Sequence, residues 1–254
     1  MQGLHDRDRG AGHLSEPSLA GLPAELAARG IAVEAEALDG LARFWRWLEQ
    51  TNQRTNLTRI TGEAAFAERH ALDALLGLPL LDAAGVETLV DVGSGCGVPG
   101  VPLALARPAW SVLLLESARR KATALEELCA SVPRLTVRAA RAEEAGRDPA
   151  LREAHDAAVI RAVGSVGLSL ELALPLVRPG GLCVLYRGPG DERVEAEAAA
   201  ALLGGGEVRL ERHALPSGAE RGLLSVRKAG PTPARYPRRP GVPERRPLGG
   251  AGEG

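Results

Sequence analysis

Aromatic residues are scarce in this chain, since phenylalanine, tyrosine and tryptophan make up only 3% of its 254 residues. Because 45% of the residues are nevertheless hydrophobic, alanine, leucine and valine have to fill the core. A chain of this length and hydrophobic content can bury one sizeable core. We therefore expect one main domain with appendages rather than two domains of equal size.

Cysteines are also few, and long apolar runs are missing. Cys96, Cys129 and Cys183 lie far apart, and their spacing matches neither a zinc site nor a disulfide framework, so we expect no metal. No run of about 18 apolar residues could form a membrane helix, and residues 1–21 lack the apolar centre of a signal peptide. These absences favour a cytoplasmic protein that does not bind membranes.

The N-terminal third of the chain is predicted to be helical. Residues 1–20 are polar and glycine-rich without any period, and we expect them to be disordered. From Glu34 to Asn52, apolar residues recur at spacings of three and four, which is typical of an amphipathic helix. A second helix is predicted over residues 62–81. Residues 21–85 are therefore expected to form a helical extension.

The next part of the chain alternates short apolar runs with helical segments. These runs are too short and too uniformly apolar for half-exposed strands, so we expect parallel strands that are covered on both faces. The runs are residues 87–92, 111–116, 135–140, 156–162 and 181–187. Their alternation with helices predicts an α/β fold with a mostly parallel, doubly wound, Rossmann-like sheet.

The end of the chain is predicted to leave this pattern. Residues 207–216 and 220–229 are separated by a Ser-Gly turn and are expected to pair as an antiparallel hairpin. Prolines become frequent beyond Ala229, where we expect regular structure to stop. Residues 86–229 are therefore assigned to the main domain and residues 230–254 to a basic, proline-rich tail.

A glycine-rich loop follows the first predicted strand. Gly93, Gly95, Gly97 and Gly100 lie within one short stretch, where glycine permits positive φ and lets a ligand approach the backbone. Ligands of open α/β sheets bind beyond the carboxyl ends of the strands, and a plain turn seldom needs so many glycines. The loop is therefore predicted to bind a ligand.

The surroundings of the loop favour a cationic ligand. Residues 95–100 match the dinucleotide pattern GxGxxG, and Glu116 follows at the distance that pattern requires. However, Pro99 has no N–H to offer a phosphate, and Asp91 would repel a pyrophosphate but attract a sulfonium or ammonium group. We therefore predict S-adenosylmethionine as the cofactor.

The two acids are predicted to bind different parts of this cofactor. Asp91 would face the methionine portion directly or through water, and Glu116 would accept hydrogen bonds from the ribose hydroxyls. The alternatives are a capping role in the loop for Asp91 and a solvated strand end for Glu116.

Several segments together resemble the RsmG, or GidB, family of bacterial methyltransferases, which modify N7 of a guanine in the 530 loop of 16S rRNA. The glycine loop by itself indicates only a class I S-adenosylmethionine-dependent methyltransferase, whereas the RHxxD segment and the YPR sequence of the tail narrow the resemblance. The segments are RTNLTRI (54–60), ERHALDAL (68–75), LVDVGSGCGVPGVPLALARP (89–108), LLLESARRKATALEEL (113–128), RAEE (141–144), AVIRAV (158–163) and RYPRRPGVPERRPL (235–248).

The resemblance implies cofactor contacts at residues that their own sequence context would not single out. These are Gly93, Val98, Ala142, Glu143 and Arg161. Without the family, the acids at 143 and 144 would be favourable charges at a helix start, and Arg161 would be a surface charge. The family usually has phenylalanine where Val98 stands.

Basic residues near the C-terminus are predicted to bind RNA. Residues 227–246 contain seven lysines and arginines against one acid. We expect Arg238 and Arg239 to contact phosphates and Tyr236 to stack on a base, with a solvated basic tail as the alternative. Arg187 is a further candidate for contact with RNA. The family usually has lysine at this position, and the side chains of arginine and lysine differ in geometry.

The predicted chemistry needs no general base, because guanine N7 carries a lone pair and no proton. The sequence offers no convincing Ser/His/Asp or Cys/His arrangement, and no catalytic residue is assigned. His70 is a candidate RNA contact near the site, with a structural role as the alternative. We expect a monomer that acts on 16S rRNA, the small ribosomal subunit or its assembly intermediate. An NAD-dependent oxidoreductase and a non-catalytic, rRNA-binding ribosome-assembly protein are the competing interpretations.

Overall fold

The computed structural model describes residues 19–249. The predicted disorder of residues 1–20 therefore falls almost entirely outside the described residues. Within them, Leu19 is buried beside Leu22 and Leu26 of the first helix. No helix in this described range combines the length and the apolar character that crossing a bilayer requires.

A seven-stranded sheet lies at the centre of the fold. Its strands are β1 (Thr88–Val92), β2 (Ser111–Glu116), β3 (Leu135–Ala139), β4 (His155–Arg161), β5 (Val177–Arg187), β6 (Gly205–Ala214) and β7 (Glu220–Lys228). Their order is β3-β2-β1-β4-β5-β7-β6. Strands β1 to β5 run parallel, while β7 is antiparallel to both β5 and β6. The predicted parallel sheet and C-terminal hairpin are confirmed.

Helices cover both faces of this sheet. They are α1 (Leu22–Ala28), α2 (Ala35–Thr55), α3 (Glu63–Phe66), α4 (Asp73–Leu75), α5 (Leu78–Ala83), α6 (Gly100–Ala106), α7 (Arg119–Cys129), α8 (Ala142–Ala145), α9 (Val166–Ala173), α10 (Arg193–Leu203) and α11 (Val242–Arg245). The amphipathic pattern correctly predicted α2, which buries Leu41, Trp45 and Leu48. The alanine-rich crossover helix α10 was not predicted.

Successive residues of each strand point to opposite faces of the sheet. In β1, Leu89 packs into a core formed with the N-terminal helices, α6 and α7, whereas Val90 packs into a second core formed with α9 and α10. Both faces are therefore covered, which explains why the strands are apolar on both sides.

The second predicted helix is interrupted. After α3, the backbone forms a π-helix over Ala67–Leu72, continues into α4, and breaks before α5. The break is fixed by packing: a Cβ at Gly77 would lie 2.2 Å from the hydroxyl oxygen of Tyr186, which donates a hydrogen bond to the Ala74 carbonyl at 2.7 Å. Short π-helical segments inside α-helices are frequent at functional sites.

Residues 232–249, which we name the C-terminal strap, pack onto the main domain. The expectation that regular structure stops after Ala229 is wrong, because α11 lies within the strap. The Arg152 guanidinium donates to the carbonyls of Thr232 and Tyr236, at 2.6 and 2.9 Å. Tyr236 is 7% exposed, so the prediction that it stacks on a base is also wrong.

Candidate functional site

The glycine loop runs from the end of β1 to the start of α6. Gly93, Gly95 and Gly97 have φ of +71°, +59° and +93°, in the left-handed region that favours glycine. A Cβ at Gly97 would lie 2.8 Å from the Val101 side chain, whereas one at Gly95 would meet only a backbone oxygen at 3.8 Å. Packing therefore requires Gly97, while Gly95 leaves the loop backbone open to a ligand.

Asp91 lies beneath this loop and is fully buried. Its Oδ2 accepts a hydrogen bond from the Gly100 N–H at 2.9 Å, and its Oδ1 has no partner among residues 19–249. Burial raises the pKa of this carboxyl to about 7, although the Gly100 N–H and the charge of Arg161 oppose the shift. Asp91 thus caps the loop, and its predicted contact with the methionine portion stays a prediction.

Glu116 holds the loop from the end of β2. Its Oε2 accepts from the Gly95 N–H at 2.9 Å and its Oε1 from the Ala118 N–H at 2.7 Å. A carboxylate offers about four lone-pair sites, so both oxygens keep acceptor capacity for hydroxyl donors. The predicted ribose contact is compatible with this arrangement and stays a prediction.

Two cavities adjoin at Gly93 and Val163, which line both of them. The first, which we name the cationic cavity, has a volume of about 700 Å³. Its basic lining residues are Arg59, Arg69, Lys121, Arg161, Arg187 and Arg221. The second, which we name the apolar cavity, has a volume of about 400 Å³. Its lining includes Val92, Leu115, Ala142, Glu143, Leu168 and Leu172.

A buried acid organises the cationic cavity. Asp73, in α4, is 1% exposed; its Oδ2 accepts from Arg161 Nη1 at 2.8 Å and its Oδ1 from Arg221 Nε at 2.6 Å. Charge-assisted bonds of this kind fix both guanidinium groups. Sequence analysis assigned no role to Asp73 or Arg221, because partners so distant in sequence leave no local pattern.

His70 lies between Arg161 and Thr58 and is 2% exposed. Since a guanidinium only donates, His70 Nδ1 accepts from Arg161 Nη2 at 3.1 Å, and Nε2 carries the proton that faces Thr58 Oγ1 at 3.1 Å. Burial, with the charges of Arg161 and Arg69, lowers the pKa of this imidazole to about 3. Because the ring is neutral, buried and bonded at both nitrogens, these contacts favour the structural alternative, in which His70 orients Arg161, and the predicted RNA contact stays a prediction.

The remaining predicted residues of this cavity are Val98 and Arg187. Val98 is buried in its wall. Arg187 forms a two-pronged ion pair with Glu192, with both N–O distances at 2.7 Å, and also donates to the Gly164 carbonyl at 2.9 Å. Its guanidinium is therefore held within the protein at the wall of the cavity, and its role toward RNA stays a prediction.

The cationic cavity also has basic residues without acidic partners. Arg59 and Arg69 are exposed and Lys121 is half-buried. Within the described part of the chain, no carboxylate oxygen lies within 4 Å of their charged groups. Their positive charge is therefore free to act at the mouth of the cavity. Sequence analysis missed them because they come from three separate segments.

Ala142 and Glu143 line the apolar cavity at the start of α8. Glu143 Oε1 accepts from Arg141 Nη2 at 2.8 Å and from the Gly241 N–H at 3.0 Å. Burial alone would raise the pKa of Glu143, but these hydrogen bonds outweigh it and lower the pKa. Glu143 is therefore ionised at neutral pH. Its contact with Gly241 links the cavity to the C-terminal strap.

Arg238 forms an ion pair inside the protein. Its Nη2 lies 2.6 Å from Glu171 Oε2 and its Nε 2.9 Å from Oε1, and the Glu171 side chain has no exposed surface. The charge of Arg238 therefore compensates a buried acid within the protein, and its predicted RNA contact stays a prediction. The neighbouring Arg239 is exposed, and its predicted RNA contact stays a prediction.

The family model described as GidB, rRNA small subunit methyltransferase G, matches residues 37–215. The chain belongs to this family. The ribosomal RNA small subunit methyltransferase G of Synechococcus elongatus is 44% identical over 204 residues, which are 78% of this chain and 84% of that protein. Its counterpart from Pelotomaculum thermopropionicum is 38% identical over 224 residues, which are 86% of this chain and 94% of that protein.

A solved structure supports the fold independently. A putative O-methyltransferase from Klebsiella pneumoniae superposes with a TM-score of 0.52 at 16% identity, over 85% of this chain and 99% of that one. The predictions of family, class I methyltransferase fold, enzymatic methyl transfer and S-adenosylmethionine as cofactor are confirmed. The oxidoreductase and the non-catalytic interpretation do not match this family and are set aside.

Proposed function

We propose that this chain transfers a methyl group from S-adenosylmethionine to N7 of a guanine in the 530 loop of 16S rRNA. The observation that carries this proposal is the junction of two unlike cavities at Gly93 and Val163. A cofactor lying across the glycine loop would have its adenosine in the apolar cavity and its methionine portion at the cationic cavity. The rRNA would then approach from the cationic side.

The residues at this junction fit such a cofactor. The open direction at Gly95 lets a ligand reach the backbone, Glu116 keeps acceptor capacity for hydroxyl groups, and Glu143 is an ionised acceptor in the apolar cavity. Bound there, S-adenosylmethionine would supply a methyl group activated by a positively charged sulfur.

The contribution of the protein to catalysis would be alignment. Because N7 has no proton to lose, no side chain has to act as a base, and the neutral His70, bonded at both ring nitrogens, is not available as one. Asp73 and His70 instead hold Arg161 in place at the cavity where the guanine would enter. Alignment of reacting groups can lower a barrier by about 7 to 11 kcal/mol.

The exposed basic side chains would attract RNA to the cavity. Arg59, Arg69 and Lys121 surround its mouth, and basic side chains neutralise phosphates while releasing counterions. Single-stranded loops are the usual targets of sequence-specific RNA recognition, because their bases can be turned out into a pocket. A cavity of about 700 Å³ has room for one base and its sugar.

The decisive experiment maps 7-methylguanosine in 16S rRNA from cells with and without this protein. We expect one modified guanine in the 530 loop to lose its methyl group when the protein is absent and to regain it when the gene is restored. An unchanged 7-methylguanosine map would refute the proposed reaction.

We further propose that the chain acts as a monomer in the cytoplasm, on 16S rRNA or the small ribosomal subunit. Light scattering on the purified protein tests the monomer. Methyl transfer from labelled cofactor onto naked 16S rRNA, assembly intermediates and complete small subunits tests the substrate form. A substrate that is methylated at least about tenfold faster than the other two would identify the physiological one, since tenfold corresponds to about 1.4 kcal/mol in the barrier.

A further inference from the structure

The C-terminal strap reaches the apolar cavity, although its basic sequence pointed to RNA. Glu244 and Pro247, both in the strap, line that cavity. The Gly241 N–H donates to Glu143 Oε1 at 3.0 Å. The strap therefore contributes its own lining residues and also holds Glu143, another lining residue, through a hydrogen bond.

The strap fixes a second wall through α9. Arg238 pairs with the buried Glu171 of this helix. The Leu248 carbonyl oxygen would lie 1.8 Å from a Cβ at Gly167, at the helix start. Backbone contact this close requires glycine, so the strap and α9 are fitted to each other.

Helix α9 also supplies the apolar surface of the cavity. Leu168 and Leu172 line it, and they lie on the same helix as Gly167 and Glu171, which both contact the strap. Loss of the strap would therefore remove two lining residues of the cavity and the contacts that the strap makes with the helix supplying two others. Nothing comparable connects the strap to the cationic cavity, which has no lining residue from 232–249.

We propose that the C-terminal strap is the outer wall of the adenosine subsite and sets the affinity for the adenosine half of the cofactor. This inference rests on the placement of adenosine in the apolar cavity under the proposed function. The ring of Pro247 would provide an apolar face for the purine, together with Leu168 and Leu172. Glu143 and Glu244 would provide acceptors for its donors.

The test uses three variants and two probes that need no RNA. One chain ends at Arg246 and lacks Pro247 and Leu248; the second carries Pro247→Gly and keeps Leu248 as an anchor. The control chain ends at Gly249 and keeps the whole strap. Binding of S-adenosylhomocysteine and of 5′-methylthioadenosine, which lacks the amino-acid portion, is measured by calorimetry, and thermal melting checks the fold.

We expect the chain that ends at Arg246 to bind both probes at least about tenfold more weakly, by the same factor for each, because only the adenosine half is affected. Pro247→Gly should weaken both by roughly threefold to tenfold, and the control should match the parent chain. Affinity for an RNA that contains the 530 loop, measured by fluorescence anisotropy, should stay within about twofold.

Unchanged affinity of both probes for the folded Pro247→Gly variant and the shortened chain would overturn the inference, and so would a loss confined to RNA binding. If the shortened chain does not fold, Pro247→Gly decides alone. The proposed function fails separately: a parent chain that binds both probes in a strap-dependent way but leaves the 530 loop unmethylated would retain the strap inference and refute the reaction.

Discussion

The C-terminal strap and the cationic cavity are both rich in arginine, but their charges serve different ends. In the strap, Arg238 compensates the buried Glu171 and anchors this segment to α9. At the cavity mouth, Arg59 and Arg69 are exposed, with no carboxylate within 4 Å among residues 19–249. The density of basic residues in a sequence therefore does not measure free positive charge. The amount of unpaired positive charge depends on acidic residues that lie far away in the sequence.

The largest expected effect is on stability and concerns the ion pair that holds the strap. Arg238→Met should lower the free energy of unfolding by about 3 to 5 kcal/mol, because it leaves the charge of Glu171 buried without its partner. Urea unfolding measures the change. Arg239→Met is the matched control and should alter stability by less than about 0.5 kcal/mol, since its side chain is exposed. Equal effects of the two substitutions would contradict the structural role of Arg238.

The second prediction concerns the ion pairs that hold the arginines of the cationic cavity. Asp73→Asn should lower kcat/KM for rRNA methylation about 100-fold, or about 2.7 kcal/mol in the barrier, because Arg161 and Arg221 lose the charge that fixes them. Single-turnover kinetics on rRNA measure the effect, with thermal melting as the test of folding. The exposed Asp39→Asn, on α2, should leave kcat/KM unchanged. A folded Asp73→Asn enzyme with parental kinetics would show that Asp73 does not position these arginines.

The third prediction concerns pH. Asp91 has a pKa of about 7 in the folded chain against 3.8 as its ordinary value. Between these values the folded state binds more protons than the unfolded state, so this group makes stability fall as pH rises. His70 has a pKa of about 3 against 6.5. Here the unfolded state binds more protons, so this group makes stability rise with pH.

The two contributions oppose each other between about pH 4.5 and 6, where each amounts to about 1.4 kcal/mol per pH unit. Asp91→Asn should therefore make the stability curve rise more steeply with pH than in the parent chain, and His70→Gln should make its slope less positive than in the parent chain. Denaturant unfolding at several pH values measures both slopes. Curves of the two variants that run parallel to the parent curve would disprove the assigned shifts.

The smallest expected effect is on the salt dependence of RNA binding at the mouth of the cationic cavity. Arg59→Ala, Arg69→Ala and Lys121→Ala should each reduce the logarithmic salt slope of RNA binding by about 0.7, the value for one contact to a single-stranded phosphate. Arg43→Ala, exposed on α2 outside the cavity, is the control. The same measurement on Arg239→Met tests whether the strap also reaches RNA. Unchanged slopes for all three cavity variants would remove this surface from the RNA site.

The elements that sequence analysis predicted are those with a local signal. Uniformly apolar runs located the parallel strands, a spacing of three and four located α2, and clustered glycines located the ligand loop. The crossover helix α10 was missed because its alanines carry little amphipathic contrast. The strap was misassigned because its prolines suggested an irregular tail, whereas burial of Tyr236 and Leu248 depends on the shape of α9 and its surroundings.

Within the site, only some of the residues were predicted from the sequence, and their pairings were not. Asp91, Glu116 and Glu143 were identified, yet each carboxylate accepts backbone N–H groups that the sequence does not reveal. The role of Asp73 depends on arginines at positions 161 and 221 that only the folded sheet brings to it. The neutral state of His70 likewise follows from burial, which no motif encodes.

Side chains of β1 alternate between the two faces of the sheet, and this affects which residues of the enzyme can be substituted independently. Asp91 and Val92 are neighbours in the chain, yet one faces the side of the N-terminal helices and the other the side of α9. Under the proposed function, the adenosine half of the cofactor and the incoming RNA would lie in different cavities, which share Gly93 and Val163 as lining residues. Substitutions among the other residues of the cationic cavity can then accumulate without changing the lining of the apolar cavity, provided that Gly93 and Val163 are kept.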